Sequence, residues 1–117
     1  MRIYYRIQPA GLEIAGHVSE PSEGDATGLH VFSSPHETLQ TDVAIEHYGD
    51  EIVVIEAPRH WPNGDVEGVE IDAASARVVA RISLVRWLAR WEELAGNDRA
   101  FDNYNDAIER WALEQAQ

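Results

Sequence analysis

Three groups of residues have the types and placement to do chemistry together. Arg6 sits in Tyr4-Tyr5-Arg6 near the start of the chain, Ser33 and Ser34 stand ahead of Pro35, and the acids Asp65, Glu67 and Glu70 follow close together. An arginine guanidinium is a rigid fork that clamps a diphosphate or a carboxylate. A serine at a strand end can hold a ribose or position a catalytic acid. A carboxylate hydrogen-bonds sugar hydroxyls and stabilises a developing oxocarbenium ion, as in glycoside cleavage. Arginine, serine and glutamate spread over three strands are what cleavage of an N-glycosidic bond to nicotinamide would require.

Other chemistries lack their residues. The chain has no Cys, which excludes a disulfide framework, a thiolate metal site and thiol catalysis. The five histidines, His17, His30, His36, His47 and His60, are scattered, with no pair at metal-ligand helical spacing. The glycines are isolated and there is no Lys to reach a phosphate, so no phosphate-binding loop is present. No Gly-x-Ser-x-Gly nucleophile elbow occurs.

Charge narrows the partners. Against 21 acids stand nine arginines, for a formal net charge of −12. That balance argues against general binding to nucleic acid or anionic lipid, where basic groups must neutralise phosphates. It permits a basic protein partner or mimicry of nucleic acid. No apolar run approaches the roughly 18 residues of a membrane span, and the start of the chain has no signal-peptide pattern. The expected location is cytoplasmic.

Positioning these residues requires a sheet. The 117 residues fit one domain. Residues 2–8 read as a first strand that stops at Pro9-Ala10-Gly11, and residues 12–18 as a second short extended piece. Residues 19–27 read as a surface loop, and residues 28–32 as a short strand. Ser34-Pro35-His36-Glu37 has the form of a capping box with proline at the first helical position, which predicts a helix from Ser34 to a stop at Gly49. Residues 51–57 (EIVVIEA) read as a strand, and Trp61-Pro62-Asn63-Gly64 as a turn or loop. Residues 66–72 and 76–83 read as two more strands, with Ala73-Ala74-Ser75 short enough to join them as a hairpin. Leu84, Trp87, Leu88, Trp91 and Leu94 then follow helical spacing from a Ser83 cap to Gly96. A second helix is expected over 98–117, with Phe101, Tyr104, Ile108 and Trp111 on one side. The aromatic stripes read as core. The expected class is α+β: a bent or split antiparallel sheet with one capped helix in residues 1–83, followed by two amphipathic C-terminal helices in 84–117.

With the elements in this order, the chain resembles small bacterial ADP-ribosyltransferase-fold proteins. The phrases that carry the resemblance are "YYR", "GLHVFSSPHETLQTDVAIEHYG", "DEIVVIEAP" and "VEGVEIDAASARVVARIS", over about residues 2–83. Residues 28–58 are most similar to the rifampin-modifying ADP-ribosyltransferases, in which a short aromatic-containing strand runs into a helix and then into a strand reading roughly "IYxVEP". The resemblance implies a cleft that binds NAD and an NAD-dependent ADP-ribosyl transfer or NAD glycohydrolysis. It implies Glu67, Glu70 and Ser33 as catalytic residues, and Arg6, Tyr5, Ser34 and Asp65 as the residues that hold NAD. Asp65 would form the paired acid two residues before Glu67, and Glu70 competes with Glu67 for the catalytic place. The chain departs from the pattern in carrying Ser33-Ser34-Pro35 where a Ser-x-Ser form is usual, and Arg6 where the rifampin-type group has His.

A second reading comes from a different class. Asp98, Asp102 and Asp106 recur at four-residue spacing, which on one helix makes an acidic ridge with neighbours about 5–6 Å apart. Such a ridge imitates a row of phosphates. It would suit a non-enzymatic acidic binding protein (an inhibitor, an antitoxin or a phage-type anti-defence protein) acting on a basic partner.

Overall fold

The computed structural model describes residues 1–11, 28–39, 50–62 and 68–116. Six strands lie in it: β1 (Arg2–Gln8), β2 (Gly28–Val31), β3 (Glu51–Ala57), β4 (Trp61–Pro62), β5 (Val69–Asp72) and β6 (Arg77–Ser83). Two helices follow, α1 (Leu84–Ala95) and α2 (Asn105–Glu114). The class is α+β, as expected, but the strands form two antiparallel three-stranded sheets, ordered β1-β3-β6 and β2-β5-β4. The expectation of a single split sheet carrying one capped helix is therefore corrected.

The sequence of β3 explains its place. Val53, Val54 and Ile55 are fully buried in succession, and of the strand only Glu56 is half-buried. A strand buried on both faces reads as a continuous apolar run, not as an alternation. On one face, Ile52 and Val54 join Tyr5, Ile82, Trp87, Trp91 and Ile108 beneath the helices. On the other face, Val53 and Ile55 join Tyr4, Leu29, Val31 and Ile71 beneath the second sheet. Tyr4 and Tyr5, being consecutive on a strand, serve opposite cores. The result is three layers: helices, the β1-β3-β6 sheet, and the smaller sheet. An isolated bridge joins the sheets, with the Tyr5 and Phe32 amides each donating to the other's carbonyl at 2.9 and 2.7 Å.

The hairpin expected across Ala73-Ala74-Ser75 does not form. These residues make a 3-10 turn, and the Asp72 carboxylate accepts from the Ala74 amide (3.0 Å) and the Ser75 hydroxyl (3.1 Å). The turn carries the chain from one sheet to the other, so β5 pairs with β2 and β4 while β6 pairs with β3. Trp61-Pro62 is likewise a short strand and not a loop. The helix expected from Ser34 is, over its described part, a 3-10 turn at Pro35–Leu39. Its first amide partner is the Ser34 carbonyl, which accepts from the Glu37 N–H at 3.3 Å. The expected remainder of that helix to Gly49, the extended piece at 12–18 and residues 63–67 lie outside the described residues.

The C-terminal third follows local rules closely. The Ser83 hydroxyl accepts from the Arg86 amide, and Gly96 ends α1 with φ +56° while its amide donates to the Glu92 carbonyl. Trp87 is the hub, within 5.7 Å of Tyr5 and 6.3 Å of both Trp91 and Trp111 by ring centroids. Its indole N–H donates to the buried Thr38 hydroxyl, which donates to the Pro35 carbonyl. That chain of bonds docks the 3-10 turn on α1. Among the described residues, no helix is long and apolar enough to cross a membrane.

Candidate functional site

The strand order brings several of the predicted residues onto adjoining elements. β1 is bridged to the end of β2, β2 is laddered to β5, and β5 to β4. Arg6 on β1, Ser33 just after β2 and Glu70 on β5 therefore follow one another across neighbouring strands. Asp65 and Glu67 lie outside the described residues.

Glu70 is the best-defined of them. In register it stands between His30 of β2 and Trp61 of β4. Its chain neighbours explain which way it faces. Ile71 pairs with Leu29 in the intersheet core, so the alternating positions Glu70 and His30 take the outward face of the small sheet. All three members of the row His30–Glu70–Trp61 are half-buried. The Trp61 indole N–H donates to Glu70 Oε2 at 3.0 Å. The other oxygen, Oε1, has no hydrogen-bond partner among the described residues. The carboxylate is thus oriented by one bond and retains an open acceptor. The His30 ring stands edge-on to Phe32 at 5.2 Å. Gly68 presses the chain against this row: a Cβ there would sit 2.6 Å from the Val31 carbonyl and 2.7 Å from His30 Nε2.

Arg6 is a brace. One guanidinium nitrogen donates to the His30 carbonyl at 2.8 Å, and Nε donates to Gln8 Oε1 at 3.2 Å. Burial makes its charge costly and lowers its pKa from the ordinary arginine value. Gln8 continues the network to Glu51, whose Oε1 also accepts from the Gly11 amide and from Arg81. Arg6 therefore ties β1 to the backbone of the strand that carries His30, and is half-buried in doing so.

The remaining predicted residues are dispersed. Ser33 is exposed and donates to Glu37 Oε1 at 3.4 Å. Ser34 lends its carbonyl to the following turn. Tyr5 is fully buried on the helix side of the large sheet and donates to Glu109 at 3.1 Å. Burial, reinforced by that carboxylate, holds its phenol far above the ordinary range. Tyr5 thus lies on the opposite face of β1 from Arg6.

The acidic ridge does not take the shape expected of it. Asp98 precedes the helical part: its carboxylate accepts from the Ala100 amide (2.9 Å) and from the Tyr104 hydroxyl (2.8 Å). Asp102 is in a 3-10 turn at Phe101–Tyr104, and only Asp106 is in the first turn of α2. The three carboxylates belong to three different local structures, and the four-residue helical spacing does not apply.

The fit of NAD to this site is mixed and specific. The space between the sheets is filled by Tyr4, Leu29, Val31, Val53, Ile55 and Ile71, each at most 3% exposed, so no dinucleotide enters there. The outward face presents a carboxylate with an open oxygen, an indole and an imidazole. No group of three or more His, Asp or Glu among the described residues is arranged to hold a metal. His30 and Trp61 were not singled out from sequence, although His30 alternates with Leu29 and Val31 as an outward residue of a half-buried strand must. Trp61 carried no such signal, because a two-residue strand is defined only by its partner. Comparison of the chain with protein-family models, with curated proteins and with solved structures finds no match.

Proposed function

We propose that the domain binds NAD along the outward face of β2, β5 and β4 and assists cleavage of the bond between nicotinamide and ribose. The observation that supports this is Glu70, oriented by Trp61 on Oε2 and open at Oε1, on a strand adjoining the one that Arg6 braces. In the reaction, the C–N bond breaks and its electron pair leaves with nicotinamide, which departs neutral. The sugar carbon becomes electron-poor. A fixed carboxylate beside it stabilises that charge without reorganising. Water then attacks in glycohydrolysis, or the oxygen or nitrogen of an acceptor in ADP-ribosyl transfer, and the attacking group gives up a proton. Trp61 positions Glu70 and offers an aromatic edge or face to the leaving ring.

The test is an NAD titration by calorimetry with nicotinamide release followed in the same samples, for wild type and Glu70→Gln. Gln keeps the shape and the acceptor facing Trp61 but lacks the charge. NAD binding persists in the variant while nicotinamide release falls by roughly a hundredfold or more. Wild-type protein that neither binds NAD saturably at millimolar concentration nor releases nicotinamide would overturn the reading.

A further inference from the structure

A second site lies at the other end of the β3–β4 connection. Pro58, Arg59 and His60 follow β3, and Arg2 opens β1 opposite Ala57 in register. Arg2, Pro58, Arg59 and His60 line one cleft of about 280 Å³. Pockets for whole small-molecule ligands run roughly 300–1,000 Å³, so this one suits a single ligand group.

Among the described residues, every ionisable side chain lining the cleft is basic. In a chain of net charge −12 this is unusual. Elsewhere arginines meet glutamates: Arg77 with Glu56, Arg81 with Glu51, and Arg90 with Glu93. Arg2 and Arg59, both exposed, form no ion pair among the described residues. The third basic group is fixed from behind. The Tyr4 hydroxyl lies 2.8 Å from His60 Nδ1, with the rings edge-on at 5.6 Å. Tyr4 is 1% exposed. Burial holds its phenol above the ordinary range, and the nearby Arg2 charge opposes that only in part, so the hydroxyl keeps its proton. The Tyr4 hydroxyl and His60 Nδ1 share this hydrogen bond, which orients the imidazole from behind. Two guanidinium forks and one oriented imidazole thus line one small concavity.

We propose that Arg2, Arg59 and His60 form a receptor for the phosphate monoester group of a small molecule. Arginine forks match the paired oxygens of a phosphate, and the imidazole adds a third polar group to the cleft. The rest of the molecule selects against polyanions. A nucleic acid meets a repelling acidic surface along its length. A single phosphate responds to the cleft, because charges more than about 8 Å away are screened at physiological ionic strength.

The site stands independently of Glu70. Calorimetry at constant ionic strength, with inorganic phosphate, glycerol phosphate and a single-stranded oligonucleotide, tests it on wild type, Arg2→Ala, Arg59→Ala and the double variant. His60 ring resonances are followed by NMR in parallel. Both phosphates bind one to one and shift the His60 signals. Stronger binding of glycerol phosphate identifies an organic monoester as the ligand, and equal binding identifies free phosphate. Each single variant loses about tenfold or more in affinity, the expected effect of one charge-assisted hydrogen bond. The double variant does not bind. Both side chains are exposed, so unchanged melting temperatures verify the fold. Absence of phosphate binding, equal binding by the double variant, or tighter binding of the oligonucleotide would each overturn the proposal. Phosphate binding by Glu70→Gln at wild-type affinity separates this site from the one proposed above.

Discussion

Gly68→Ala tests the geometry on which the outward-facing row depends. Gly68 has φ +93°, and an added Cβ would meet the Val31 carbonyl oxygen at 2.6 Å, His30 Nε2 at 2.7 Å and a Phe32 ring carbon at 3.2 Å. Two costs combine. Holding an L-residue at positive φ costs about 1–2 kcal/mol, offset by about 0.4–1 kcal/mol from the smaller entropy of the unfolded alanine chain. Overpacking adds about 1–3 kcal/mol. The His30 ring can swing aside, but the Val31 carbonyl belongs to β2, so relief requires a strand backbone to move. The net expectation is a loss of about 1–4.5 kcal/mol. For 117 residues, an unfolding entropy near 2.1 cal/mol/K per residue converts each kcal/mol into roughly 4 °C. The melting temperature of Gly68→Ala should therefore fall by roughly 4–18 °C, read by far-UV circular dichroism. Gly11 and Gly96 supply internal controls, since both have positive φ, +81° and +56°, but nothing within 4 Å of an added Cβ. Gly11→Ala and Gly96→Ala bear only a backbone cost, net about 0–1.6 kcal/mol at a left-handed position and up to about 3 kcal/mol at Gly96, whose ψ of −118° lies outside that region. If Gly68→Ala loses no more than Gly11→Ala, the close approach of residue 68 to β2 is refuted, and with it the placement of His30 beside Glu70.

Other parts of the molecule make separable predictions. Glu51→Ala removes the acceptor shared by Gln8, Gly11 and Arg81. It should cost about 2–4 kcal/mol in urea unfolding, below the loss for a fully buried pair because water reaches Arg81, whose side chain is 30% exposed. Glu51→Gln keeps one acceptor and should lose about half as much, and equal losses for the two would show that the charge is unimportant. Asp98 has its pKa lowered from 3.8, first by the Ala100 amide and then by the Tyr104 hydroxyl. Its contribution to stability is present above the unfolded aspartate value and is lost as pH falls through the lower folded value. A carboxyl NMR titration should place Asp98 below 3.8 and move it back toward that value in Tyr104→Phe, and a midpoint at or above 3.8 would contradict the Asp98 contacts.

What was legible in the sequence was what is locally determined. β1, β3 and α1 appear where periodicity and caps place them, because a proline, a serine hydroxyl or a glycine within a few residues sets each boundary. The partners of strands were not legible. Residues 69–72 and 77–83 look like a hairpin by spacing alone, yet Asp72 caps a 3-10 turn that sends them to different sheets. The same division runs through the site. That Glu70 faces outward follows from Val69-Glu70-Ile71. That it meets Trp61 and His30 follows only from pairings β5 makes with strands nine and forty residues earlier in register. Arg6 was readable only as a first-strand arginine placed to clamp the dinucleotide phosphates. Its use as a brace on the His30 carbonyl depends on β2 arriving beside β1, which no local pattern encodes.

One short segment links the two proposed sites. Pro58 and Pro62 bracket Arg59-His60-Trp61, and each proline fixes its own φ and biases the residue before it toward extended backbone. Consecutive side chains on extended backbone point to opposite sides. His60 accordingly turns inward to the Tyr4 hydroxyl, and Trp61 turns outward to the Glu70 carboxylate. The Arg59 and Arg2 guanidinium groups carry like charge at the same cleft and repel one another. A doubly charged phosphate between them replaces that repulsion with attraction on both sides. The outward Trp61–Glu70 contact takes no part in that attraction, so phosphate affinity should be unchanged in Glu70→Gln.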